Sequence, residues 1–228
     1  MAPVMLAWQH SLLARLAGRS DFRVSVPLRT TDGAFIADGW TAWRYESGSH
    51  RERRWHEIIA VGRQLHDALV TEPEPSFLRG RTDPWAIGDK VAWGELPLAE
   101  HASDPHLGRL VPALGLVRGR SQLVHGDLTG NVLFDDDLPP LVIDVSPYWR
   151  PPAFASAIVV ADAVAFEGAD SHIVEPLLDD PDFAQCLLRA LIYRIVTDRV
   201  AGFDQLRTNS EDPYGDVVEL ALTLATHG

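Results

Sequence analysis

Between Leu123 and Asp144, three apolar runs too short for helices alternate with polar turn residues: Leu123-Val124, Val132-Leu133-Phe134 and Leu141-Val142-Ile143. Runs of that size bounded by turn residues read as short strands. Almost everything around them has helical spacing. Met5, Trp8, Leu12, Leu13 and Leu16 share one helix face ahead of Gly18, a left-handed cap position, and Trp55, Ile58, Ile59, Leu65 and Leu69 mark a second helix, stopped by Pro73 and Pro75. Further helices are expected over Ala153 to Phe166, Phe183 to Val200 and Asp216 to Ala225. Two strand-like runs, Phe22 to Leu28 and Ala34 to Tyr45, flank the turn signal Thr31-Asp32-Gly33 and are expected to form a hairpin. Asp83 to Gly94 is expected to be a packed loop, and Asp135-Asp136-Asp137 before Leu138-Pro139-Pro140 a hairpin turn rather than a cation site. The expected fold class is therefore α+β.

Charge narrows the range of partners. A net charge of -12 on 228 residues opposes a phosphate-backbone partner, which needs clustered Lys and Arg, so no nucleic acid is expected. The densest basic run, Arg51 to Arg54, is interrupted by Glu52 and leads into a helix pattern, so it reads as a solvated helix start. One cysteine, Cys186, sits among apolar residues and is expected to be a buried structural thiol in a reducing, cytoplasmic setting. No apolar stretch approaches the roughly 20 residues that cross a bilayer, and no export signal is apparent at the N-terminus. His56-Glu57 has Ala60 where a zinc-protease helix needs a second His, no Gly-Lys-Ser or Gly-Lys-Thr is present, and Ser121 and Ser146 lack nucleophile-elbow glycines. Most of the seven tryptophans are expected in the core; Trp149-Arg150-Pro151-Pro152, close after Asp144, is the group expected to shape a pocket.

Phosphoryl transfer requires an acceptor hydroxyl aligned with a terminal phosphate, a carboxylate beside that hydroxyl, and oxygen ligands for a divalent ion. His125-Gly126-Asp127-Leu128-Thr129-Gly130-Asn131, followed by Leu141-Val142-Ile143-Asp144, supplies those groups in order. Taken singly, Asp127, Asn131 and Asp144 read better as turn and strand-end residues. In combination they resemble the aminoglycoside phosphotransferase-like branch of the protein-kinase-like superfamily. The resemblance implies Asp127 as the catalytic base, Asn131 and Asp144 as magnesium ligands, and His125 as a structural member of the loop. It also implies ATP or GTP as donor, a small-molecule alcohol as acceptor, a hinge at Trp43 to Gly48 whose backbone near Arg44, Tyr45 and Glu46 contacts the base, and Asp162 as a brace for the catalytic loop.

The same resemblance divides the chain into a partial N-lobe and hinge, 1–48, and a helical C-lobe, 49–228. Two residues separate Leu128 from Asn131 where the family usually has three, and Asp144-Val145-Ser146 replaces the usual Asp-Phe-Gly or Asp-Phe-Glu. The Gly-rich loop and the lysine strand of the N-lobe have no counterpart before Trp8, and Gln9, His10 and Ser11 stand where that lysine's carboxylate partner is sought. Three expectations remain open: a chain that starts late, a degenerate kinase-like protein that only binds ligand, or a compact enzyme that grips phosphate differently.

Overall fold

The structure, a computed structural model, describes residues 3–98, 103–206 and 212–227. Among them the order is α1 (Pro3–Leu16), β1 (Arg23–Val24), α2 (Trp55–Leu69), α3 (Pro84–Ala92), α4 (Pro105–Leu110), β2 (Gln122–His125), β3 (Val132–Leu133), β4 (Leu141–Val142), β5 (Pro147–Arg150), α5 (Pro152–Phe166), α6 (Phe183–Ala201) and α7 (Gly215–His227). Helices thus wrap two small sheets, the α+β class expected. No helix among the described residues is long and apolar enough to cross a membrane.

Strand order positions the site. β4 lies between β1, which it meets in parallel, and β3, which it meets antiparallel with Val132 opposite Val142. β5 then returns antiparallel to β2, placing Pro147 opposite His125. The loop leaving β2 (His125 to Asn131) and the loop joining β4 to β5 (Ile143 to Ser146) are therefore neighbours. Asp135 to Asp137 form the β3–β4 turn: Asp137 N–H donates to Asp135 Oδ1 at 3.0 Å and Asp136 pairs with Arg51.

α5 is the central element, buried without interruption from Phe154 to Ala163, as a helix apolar on every side must be. α6 lies against it with Leu187, Leu188, Leu191 and Ile192 at 0–1% exposure. α3 approaches α6 through Gly88, where a Cβ would come within 2.4 Å of Thr197 Oγ1 and 2.6 Å of the Tyr193 carbonyl. No larger residue permits that approach. Gly202 ends α6 at φ 72°, a left-handed C-terminal cap.

Two expectations are corrected. Asp83 to Gly94 is not a loop: α3 starts at Pro84, and the Asp83 side chain accepts from Ala86 N–H at 3.1 Å. Asp followed by Pro is a helix-start signal, because Pro needs no hydrogen bond there and Asp caps an orphan N–H. The hairpin over Phe22–Leu28 and Ala34–Tyr45 forms only in part. Leu28 N–H bonds Ala42 C=O and Arg44 N–H bonds Val26 C=O, but Pro27 has no N–H and a left-handed turn at Asp38 and Gly39 (φ 50° and 83°) splits the second run. β1 spends its hydrogen bonds on β4 instead, with Arg23 N–H on Pro140 C=O and Ser25 N–H on Val142 C=O.

Candidate active site

The loop after β2 is organised by a buried histidine. His125 is fully buried, and its Nδ1 accepts from Asp127 N–H at 3.2 Å while Nε2 lies 3.3 Å from the Ile143 carbonyl. These partners assign a neutral ring with the proton on Nε2. Burial, the largest influence, lowers its pKa, so the ring stays neutral. The backbone N–H of His125 donates at 3.1 Å to Nε2 of His66, a second buried imidazole from α2. Gly126 N–H donates to the Ser146 carbonyl at 2.9 Å. His125 and Gly126 thereby clip the loop carrying Asp127 to the loop carrying Asp144. Gly126 must be glycine: a Cβ would lie 2.3 Å from Cδ2 of the buried Tyr148 ring.

Asp127 is held from both sides. Arg194 of α6 donates to Asp127 Oδ1 at 2.9 Å and grips both Asp162 oxygens at 2.7 and 2.5 Å. Asp162 therefore braces Asp127 through an arginine rather than directly. Arg194 and Asp162 are both buried, with side chains 12% and 8% exposed. Burial pushes the Asp162 carboxyl upward against the pull of Arg194, and the two carboxylates keep Arg194 charged. Arg194 was not anticipated from the sequence; an Arg inside the apolar run Leu191 to Val196 was the available signal, since a buried cation must have a partner.

Asn131 closes the loop, its Nδ2 donating to the Asp127 carbonyl at 2.8 Å and lying 3.4 Å from Asp127 Oδ2. That amide orientation leaves Oδ1 without a partner among the described residues. The shortened spacing to Leu128 is absorbed by Gly130 at φ 78°. Ile143 N–H donates to the Asn131 carbonyl at 3.0 Å, which seats Asp144 beside Asn131. Asp144 is exposed and left-handed at φ 44°, a strained setting for a non-glycine residue. The donor set is one carboxylate and one amide oxygen, open to solvent; hard oxygen ligands with room for waters and phosphate suit magnesium.

The expected hinge residues lie apart from this loop. Arg44 has its N–H on Val26 and its carbonyl accepting from Ser25 Oγ at 2.8 Å, so its backbone is occupied. Tyr45 is 89% exposed and Glu46 faces Arg23 at 3.6 Å; their backbone groups have no partner among the described residues. Trp149-Arg150 lies on β5, where the Arg150 guanidinium is taken by Asp89 and Glu95.

A family model described as the phosphotransferase enzyme family matches residues 2–145, more than half the chain, including the loop from His125 to Asn131 and Asp144. The chain belongs to that family. Membership accords with the aminoglycoside phosphotransferase-like resemblance of His125 to Asp144. Neither the curated proteins nor the solved structures gave a match. Asp162 and Arg194 lie beyond the residues the family model covers.

Proposed function

We propose that this phosphotransferase-family protein has a kinase-like fold and moves a phosphoryl group from ATP or GTP to a hydroxyl of a small molecule. The carrying observation is the joined pair of loops: Asp127 fixed by Arg194 and Asn131, with Asp144 seated beside Asn131. In this reading Asp127 orients the acceptor hydroxyl and takes its proton. Asn131 and Asp144 hold magnesium, which when bound neutralises charge on the phosphate oxygens. His125 keeps the loops in register, and Tyr45 and Glu46 offer backbone groups to the base. The proposed division is an N-lobe and hinge over 1–48 and a C-lobe over 49–228, and the proposed setting is the cytoplasm.

The test is thermal and chemical unfolding with and without magnesium and each nucleotide. Ligand at 100 times its dissociation constant should add about 2.7 kcal/mol of stability. Asp144→Ala should remove the magnesium dependence of that gain, and Asp127→Ala should keep binding but stop phosphate transfer. A gain without turnover for any alcohol would favour a ligand-binding protein without catalysis; no gain with either nucleotide would refute the reading.

A further inference from the structure

A cavity of about 350 Å³ lies between the N-terminal half of α1, the segment before α3 and the loop from Asp144 to Pro147. Asp144 lines it directly. Ser146 lines it too, and the Ser146 carbonyl receives the Gly126 N–H, one residue from Asp127. The cavity thus opens on Asp144, the group assigned to metal binding, and its wall is hydrogen-bonded to the loop that carries Asp127.

Its walls are chiefly apolar: Val4 and Met5 from α1, Phe77 opposite, and Val145 and Pro147 below. Two of its three charges are matched to each other. Asp83 takes a bidentate grip from Arg81, at 2.9 Å to each oxygen, and also caps α3. Arg81 spends its remaining reach on the Pro147 carbonyl at 3.2 Å. Asp144, the cavity's other carboxylate, is a magnesium ligand in the proposed function. With magnesium on Asp144, a polyamine entering here would find no uncommitted carboxylate, and desolvating its ammonium groups against this wall is unfavourable.

One buried polar atom in the wall lacks a partner among the described residues. Gln9 is 1% exposed; its Nε2 donates to the Val145 carbonyl at 2.9 Å, while its Oε1 is buried without a hydrogen bond. A buried acceptor left unpaired is costly, so a ligand donor reaching it gains that cost back. Gln9 itself lines the cavity, and the terminal amide torsion of Gln is soft.

We propose that this cavity seats the acceptor, and that the acceptor is an uncharged, largely apolar alcohol with a second hydroxyl received by Gln9, not a polycationic aminosugar. The inference rests on the phosphotransferase reading. In the reaction, the acceptor oxygen bonds to the terminal phosphorus of the nucleoside triphosphate, the bond from that phosphorus to the diphosphate oxygen breaks, and the hydroxyl proton passes to Asp127. The acceptor leaves as a phosphate monoester and the donor as a nucleoside diphosphate.

The probes are 1,4-cyclohexanedimethanol, an apolar diol, and neamine, a polyamine sugar, each titrated into the ¹⁵N-labelled full chain. The expected result is a saturable shift of the Gln9 side-chain NH₂ signals and the Ser146 amide with the diol and none with neamine. Gln9→Leu should weaken diol binding at least tenfold; Val4→Arg, at a position 64% exposed and outside the core, should do the same if the Gln9 variant folds poorly. Saturable shifts with neamine, no shift with the diol, or diol binding unaffected by Val4→Arg would overturn the inference. Nucleotide binding is scored separately, so diol binding without any nucleotide effect refutes the phosphotransferase reading while the ligand class of the cavity stands.

Discussion

Removing the Arg194 guanidinium should expose how strongly Asp127 depends on charge balance in the core. Arg194→Met keeps an unbranched apolar stem and deletes three contacts, two to Asp162 and one to Asp127. Asp162, with a side chain 8% exposed, is then a buried charge without a counter-ion. Breaking such a pair from one side costs about 3–5 kcal/mol, a large share of the about 5–15 kcal/mol that holds a domain together. An exposed pair offers the scale: Arg15 is 56% exposed against Glu72, and Arg15→Ala should cost under about 1 kcal/mol.

The sign of the pH dependence is fixed by the same burial. With Arg194 gone, desolvation and the like charge of Asp127 raise the folded-state pKa of Asp162 above the unfolded value near 3.9, against only the smaller opposing pull of the Thr129 hydroxyl. The folded variant then binds the proton more tightly than the unfolded chain, so its deficit relative to the parent should grow as pH rises above about 4 and shrink toward it. Urea unfolding of both proteins at pH 5 and pH 8 measures this. The double change Arg194→Met with Asp162→Leu removes both charges and should recover most of the loss. A single variant that loses less than about 1 kcal/mol, or a double variant no better than the single, would refute the argument.

Gly126→Ala should destabilise by at least about 1–3 kcal/mol, read as a lower urea midpoint, because the new Cβ meets a Tyr148 ring that is buried and hydrogen-bonded to Tyr193. Acid should weaken the fold: burial first, then the neighbouring His125, holds His66 at about 3, below the unfolded 6.5, so stability is complete above pH 6.5 and is lost as pH falls toward 3, by up to about 5 kcal/mol. His66→Gln keeps an acceptor for His125 N–H and should flatten that dependence in unfolding measured from pH 7 to pH 4, with no flattening counting against it. Cys186 is fully buried and its thiol is pushed up to about 12, so a thiol reagent at pH 8 should label it only after unfolding.

Local sequence was sufficient wherever one element's own spacing carries the information. α2 runs from Trp55 to Leu69 as its apolar periodicity requires, and the loops from His125 to Asn131 and around Asp144 are recognisable because their turn residues and flanking strands are contiguous. Asp83-Pro84 was legible as well, since cap chemistry is local; the neighbouring tryptophans and the Gly-Asp pair obscured it. Pairing between distant segments was not legible. The strand-forming residues of β1 had two possible partners, and only the assembled sheet shows that β4 takes most of their hydrogen bonds.

By itself, then, the sequence determined the α+β class, the main helices and the identity of the carboxylates and amide that could do chemistry. The tertiary structure decided how they are held: Arg194 lies 67 positions from Asp127 and Gln9 lies 136 from Val145, separations at which no sequence pattern specifies a hydrogen bond. The reason is physical. Periodicity and caps act within a few residues, whereas a buried charge or amide finds its partner only when packing excludes water and leaves one arrangement in which the polar groups are satisfied.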